Sequence, residues 1–463
     1  MLSRHGQEKY NRLGKAHPSL TYEHFEITKG PAELRIDFYF KLEPNINFHP
    51  RVSFPIRDFY SLNNIDDESI ELLAFNLGLT EMISYWKAAC PPQIVVRAGH
   101  LDQWQQNWWK KLFYKGLGEF FHTNGIVPEF NGFLNFKIES DKTFKSFAGL
   151  SDKEVILPVG GGKDSVVSME LLRKHDFEIR PFIINPAQVH NKILGIAGYP
   201  EEEWIVAKRV IAPELLQLNQ KGYLNGHTPF SAIVAIVSSM GALLSNNKFI
   251  ALSNESSANE PTIPETGVNH QYSKSIEFES DFRNYTRRYI SPDLDYFSLL
   301  RPLNELQIAK LFSSFKPFHL DFRSCNTGSK KGIWCCSCPK CLFTFIILST
   351  FIPAEKMKKI FGKDLFGDEE LLDTLWQLTG DSKEKPFECV GTIEEVNAAL
   401  DRIILERKDD LPVLLKTYKS NRKSGKKTGE KVFNHLMDAY DPDNFLRPAF
   451  EKMIMQEIQW KNS

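Results

Sequence analysis

The sequence predicts an α/β protein built around a parallel sheet. Short apolar runs alternate with amphipathic stretches between residues 151 and 345, the pattern of strands joined by crossover helices. A glycine-rich turn, Gly160-Gly161-Gly162, joins one such run to a helical stretch. The composition, 42% hydrophobic and 25% charged over 463 residues, is that of a folded globular chain and excludes a disordered or collagen-like one.

Three regions are expected. Residues 1–150 read as an α+β region. Within it the alternation at 34–40 (LRIDFYF) predicts a strand, 70–86 a helix and 94–96 the core of a short strand. A helix is expected over 101–121, carrying Trp104, Trp108, Trp109 and Phe113, whose spacing suits a core or a domain contact better than a ligand box. Residues 151–345 form the parallel-sheet domain, with strands at 155–159, 179–184, 249–253 and 296–300 and helices at 163–175, 228–244 and 305–315. Residues 346–463 read as mostly helical, interrupted by the Pro- and Gly-bounded segment 385–391. The stretch 416–431, rich in Lys, Gly and Ser, reads as a solvated loop.

The charge balance excludes one class of function. Fifty-seven basic residues face 58 acidic ones, a net charge of −1, so a strongly basic nucleic-acid binder is disfavoured. No stretch approaches the ~18 apolar residues of a membrane span, and the basic N-terminus lacks the apolar run of a signal peptide. A cytoplasmic location and no membrane association are therefore expected. The oligomeric state is not legible.

The sharpest motif is Gly160-Gly161-Gly162-Lys163-Asp164-Ser165, set between the strand ILPV and a helix. Glycines let the backbone approach an anion, and the helix N-terminus offers free N–H groups. Ser165 can add a hydroxyl, Lys163 can neutralise phosphate charge, and Asp164 can hold Mg²⁺ or its water shell. The spacing is neither that of Walker A nor that of a dinucleotide fingerprint.

Five of seven cysteines crowd between residues 325 and 341. Cys325, Cys335, Cys338 and Cys341 have the form C-x9-C-x2-C-x2-C, which can close a tetrahedral Zn²⁺ site of structural type; an iron–sulfur cluster also accepts four thiolates. Lys330, Lys331 and Lys340 are placed to offset their charge, while Cys336 is the odd one out. A polar run, 253–257 and then 265–274, follows a predicted strand, where open α/β sheets place their ligands. It supplies Glu255, His270 and Lys274 as acid–base candidates. Cys389, in KPFECVG, is a further candidate as a low-pKa thiol beside Lys385.

GGGKDS resembles the SGGxDS loop of the PP-loop ATP pyrophosphatases, adenine nucleotide α-hydrolase-like proteins, with Gly160 where that pattern often has Ser. The cysteine cluster resembles the zinc motif of the 7-cyano-7-deazaguanine synthases in the same superfamily. The wider order of segments is SYWKAA, GLGEF, GGGKDS, APELLQLN, NGHTP, SNE, NHQYSK, SLLRPL, the cysteines and KPFECVG. It resembles the UDP-N-acetyl-α-D-muramoyl-L-alanyl-L-glutamate epimerase family of peptidoglycan synthesis. The resemblance implies a reaction with ATP and Mg²⁺ that inverts the terminal L-Glu of UDP-MurNAc-L-Ala-L-Glu to D-Glu and releases AMP and PPi. It implies that Gly160–Gly162, Lys163 and Ser165 grip pyrophosphate and that Asp164 serves Mg²⁺. The acid–base candidates are then His270, Lys274, Glu255 and Cys389, with His270 placed first, and Lys87, Arg301 and Lys274 are the candidates to hold anionic groups of the substrate. The competing readings are an adenylating ligase or synthase acting on another carboxylate, and an RNA-modifying enzyme of the same superfamily.

Overall fold

The first strands have one wet face and one dry face. β1 (Ser19–Lys29), β2 (Glu33–Leu42), β3 (Ile46–Phe48) and β4 (Arg51–Pro55) are joined antiparallel through β2. In β2 Leu34, Ile36, Phe38, Phe40 and Leu42 are buried, while Arg35, Asp37, Tyr39 and Lys41 alternate towards solvent. β5 (Gln93–Val96) and β6 (Asn135–Ile138) extend this edge in parallel with β1.

The later strands are covered on both faces. They are β7 (Ser151–Pro158), β8 (Glu178–Ile184), β9 (Ile205–Val210), β10 (Asn247–Leu252) and β11 (Asp295–Ser298), all mutually parallel. Alternate side chains enter two different cores: Ile156, Phe182, Ile205, Ile250 and Tyr296 join one, and Val155, Ile183, Val206, Phe249 and Phe297 the other. A strand dry on both sides has no polar face, so these strands read in sequence as short continuous apolar runs. The computed structural model describes residues 4–328, 331–407, 411–421 and 429–458. Among them eleven strands form one mixed sheet in the order β11-β10-β7-β8-β9-β4-β2-β1-β5-β6, with β3 paired to β2. The expected α+β region and parallel domain thus share a sheet, joined where Arg51–Ser53 of β4 pair antiparallel with Lys208–Val210 of β9.

Helices Asp67–Trp86 and Phe230–Ser245 pack together in the first core. Asp66 caps the former by accepting from the Ser69 N–H at 2.7 Å. Helices Lys163–Lys174, Glu305–Ser314, Pro339–Ser349 and Ile393–Arg407 fill the second core, so the C-terminal region is helical as expected.

Two expectations change. The helix expected over 101–121 is two, Gln103–Gly116 and Gly118–Thr123, broken at Leu117. At the break the chain packs tightly: a Cβ on Gly116 would lie 2.9 Å from Pro229. The stretch expected as a loop over 416–431 is helical where described, in Val413–Asn421 and Gly429–Asp438, because Leu414, Leu415, Tyr418 and Phe433 bury an apolar stripe between the lysines. Residues 422–428 lie outside the described residues. Trp108 and Trp109 are core and pack on Tyr285, with ring centroids 4.4 and 5.9 Å away, whereas Trp104 is exposed at the edge of the same cluster. Among the described residues no helix is long and apolar enough to cross a membrane.

Candidate active site

The glycine loop lies at the C-terminal end of β7, where parallel strands leave their ligand crevice. Gly161 has φ +79°, and a Cβ there would sit 2.7 Å from Val189. Gly162 precedes the helix in extended conformation with no side-chain cap, so the first helical N–H groups are left to a ligand. At Gly160 a Cβ would meet nothing within 4 Å. Gly160, Gly162, Asp164, Ser165, Asn254 and Lys274 line part of a cleft of about 390 Å³.

Two loop side chains depart from expectation. Lys163 is only 3% exposed and donates to Asp164 at 2.5 Å and to Glu305, so its charge is turned into the protein and away from a phosphate in the cleft. Burial opposes its proton, yet Asp164 and Glu305 hold its pKa above the ordinary lysine value. The Ser165 hydroxyl donates to the Gly162 carbonyl at 3.0 Å and braces the turn.

A row of polar groups faces the loop. Glu255, just beyond β10, is buried near Lys274, Asp164, Lys163 and Cys389; burial above all raises its pKa. Lys274 lies beside Cys389, and although burial works against its charge, Cys389, Glu255 and Asp164 keep it protonated. Cys389 also lies beside His270. Burial would raise this thiol, but Lys274, Lys340 and His270 bring it well below its ordinary value. Lys385, expected beside the thiol, instead donates at 3.0 Å both to Glu260 and to the Gly391 carbonyl, tying down the loop that carries Cys389. The structure therefore brings together Asp164, Glu255, Lys274, Cys389 and His270, which lie far apart in the chain.

Sequence reasoning missed Glu119 and His227. Glu119 Oε2 lies 2.5 Å from His270 Nδ1 and 3.1 Å from His227 Nδ1. Both residues sit in quoted segments, GLGEF and NGHTP, but nothing in their spacing shows that the fold joins them to NHQYSK. Lys87 lies near Glu119, donating to the Thr228 hydroxyl at 2.6 Å and to the Gly226 carbonyl, and burial brings its pKa down to about 8. Arg301 departs from the role expected of it. It is 0% exposed and donates to the Glu255 carbonyl at 2.6 Å, to Glu279 at 3.0 Å and to the Lys274 carbonyl. It is a strut beneath Glu255 and Lys274, with no guanidinium face for a substrate.

The cysteine cluster has metal geometry. Sulfur separations are 3.5 Å for Cys338–Cys341, 3.7 Å for Cys335–Cys341 and 3.9 Å for Cys325–Cys338. A tetrahedron with Zn–S bonds of ~2.3 Å has edges of ~3.8 Å, so the four sulfurs fit zinc. The Gly328 N–H donates to Cys325 Sγ at 3.0 Å. Cys336, at φ +58°, turns its thiol away to the Phe361 carbonyl at 3.2 Å. Lys330 lies outside the described residues. A larger, mostly apolar cavity of about 680 Å³ lies beyond the row, with Tyr114, Phe121 and Tyr272 in its wall. Asp164 and Lys274 line the smaller one.

These features define an α/β protein whose ligand crevice, at the ends of parallel strands, is faced by a buried acid–base row. Residues 13–299 match the family model of the MurL N-terminal domain, and residues 313–432 that of the MurL C-terminal domain. The chain belongs to the MurL family. It is 34% identical to the UDP-N-acetyl-alpha-D-muramoyl-L-alanyl-L-glutamate epimerase of Xanthomonas oryzae pv. oryzae over 349 residues, 74% of this chain and 76% of that one. It is 35% identical to the protein of the same name from Salinispora tropica, over 72% of this chain and 74% of that one. No solved structure matches it.

Proposed function

We propose that this protein inverts the terminal L-Glu of UDP-MurNAc-L-Ala-L-Glu to D-Glu in peptidoglycan precursor synthesis, using ATP and releasing AMP and PPi. The observation that carries the proposal is the convergence of Glu255, Lys274 and Cys389 on the loop that bears Asp164. The names of its relatives supply the substrate.

The chemistry explains the combination. An α-proton beside a carboxylate is a very weak acid, because its loss adds negative charge to negative charge. A carboxylate oxygen first attacks the α-phosphorus of ATP and pyrophosphate leaves, giving an acyl-adenylate. A base then takes the α-proton, the electron pair moves into the acyl oxygen as an enolate, and an acid returns a proton to the other face. Water finally cleaves the acyl–phosphate bond, giving AMP and the D-glutamyl carboxylate. In this PP-loop reading the free N–H groups after Gly162 hold pyrophosphate. Asp164, oriented by Lys163, would hold Mg²⁺, which neutralises phosphate charge when bound. Cys389 is the thiolate base and Lys274 the ammonium acid, and Glu255 helps keep Lys274 charged. His270, placed first among the bases in the sequence, here holds Cys389. The four cysteines hold a structural zinc, whose filled sphere leaves no position for substrate.

The test is incubation with ATP, Mg²⁺ and UDP-MurNAc-L-Ala-L-Glu in D₂O. AMP together with deuterated D-Glu is the expected product pair. AMP without deuterium at Cα would replace the epimerase with an adenylating ligase lacking its nucleophile.

A further inference from the structure

We infer that Glu119 is a positioning residue of the acid–base step: by its hydrogen bond to His270, with His227 beside the same carboxylate oxygen, it fixes the imidazole that lies beside Cys389 at the loop cleft. This rests on the reading of Cys389 as the base.

Three segments of chain meet here: the helix Gly118–Thr123, the loop before Phe230 and the loop before Tyr272. A carboxylate and two imidazoles also suggest a metal triad, and the distances decide against it. Metal bonds of ~2.0–2.1 Å place tetrahedral ligands ~3.3 Å apart. Glu119 and His270 are 2.5 Å apart, a hydrogen-bond distance. Glu119 Oε2 is thus hydrogen-bonded to His270 Nδ1 and lies 3.1 Å from His227 Nδ1, the two ring centroids being 4.6 Å apart. With Nδ1 taken by Glu119, Nε2 is the His270 nitrogen left for a further partner.

The charges fall into an order that this arrangement can use. Burial opposes the His270 proton, but Cys389 and Glu119 raise its pKa to about 9. Burial and then the neighbouring His270 bring His227 down to about 4. One ring is thus an imidazolium and the other neutral. Cys389 faces Lys274, Lys340, His270, Glu255 and the adjacent Glu388; His270 faces Cys389, Glu119, His227 and Glu388; Glu119 also faces Lys87. Lys87 grips the Gly226 carbonyl and the Thr228 hydroxyl on either side of His227. Removing the Glu119 charge leaves His270 with no carboxylate hydrogen-bonded to its Nδ1, and an imidazole that loses its proton stops holding Cys389 as a thiolate.

The test measures iodoacetamide alkylation of Cys389 against pH in the full-length protein, read on the peptide carrying that residue. Wild type, Glu119→Gln and Glu119→Asp are compared, with steady-state turnover alongside. In Glu119→Gln the alkylation midpoint is expected to rise by about one unit, with kcat falling ~100-fold and the KM for ATP changing less than twofold. Glu119→Asp keeps the charge and is expected to lie between the two. A Glu119→Gln profile superimposed on wild type overturns the inference. If Glu119→Gln does not fold, His270→Gln takes its place, and a Cys389 profile equal to wild type there does the same. The epimerase reading is judged separately by Cys389→Ser. If that variant still turns over while the alkylation midpoint depends on Glu119, the relay stands and Cys389 is not the base.

Discussion

At the glycine loop two adjacent residues differ in what they tolerate. Gly161 combines φ +79° with a Cβ position 2.7 Å from Val189, so Gly161→Ala must distort the turn. That variant is expected to lose at least tenfold in AMP release and ~1–3 kcal/mol of stability, measured by product assay and urea melts. Gly160 has open space at its Cβ, so Gly160→Ser is expected to fold as wild type and to retain activity. The acid–base row carries its own pH signature. His270 binds its proton more tightly folded than unfolded, with a pKa raised from 6.5 to about 9. Its contribution to stability is therefore full below about pH 6.5 and is lost as the pH rises through about 9. Turnover should fall on the same alkaline limb, and His270→Gln should remove that limb from the profile of kcat against pH.

At the scale of elements, buried ion pairs pin the helices to the sheet. Arg209 on β9 forks onto Glu81 of the helix Asp67–Trp86 at 2.5 and 2.8 Å. Glu81→Ala leaves that guanidinium buried and unpaired, and should cost about 3–5 kcal/mol, read as a fall in the urea midpoint. The cysteine knuckle starts the helix Pro339–Ser349. Cys341→Ser is expected to abolish about one bound zinc per chain in metal analysis and to lower Tm. A visible absorption band in the native protein would point to an iron–sulfur cluster instead. The sequence made the strand–glycine–helix unit and the cysteine spacing legible because each is local. It left β4 and β9 unread because the pairing that joins them is distant: β4 meets β9 across more than 150 residues. The site divides in the same way. Cys389 and Lys274 are recognisable as reactive types. That Lys274 and not Lys385 faces the thiol, that Lys163 and Arg301 spend their charges inside the protein, and that Glu119 backs His270 all depend on long-range packing.

At the scale of the whole molecule, one sheet passes through both halves, so the two cores share its strands. Trp86, Trp108 and Trp109 report on the first core, and Trp204 and Trp334 on the second. Fluorescence and far-ultraviolet circular dichroism should therefore follow a single coincident urea transition. Two separated transitions would show that the β4–β9 seam is weaker than either core.

The site draws Glu119 from the N-terminal third, Asp164 and Lys274 from the parallel strands, and Cys389 from the helical end. During synthesis on the ribosome the pieces appear in that order. A nascent chain can shape the glycine turn long before it owns the sulfur that would abstract a proton. Chain-termination products ending before residue 389 would therefore be chemically mute at the α-carbon, even with the rest of the crevice in place.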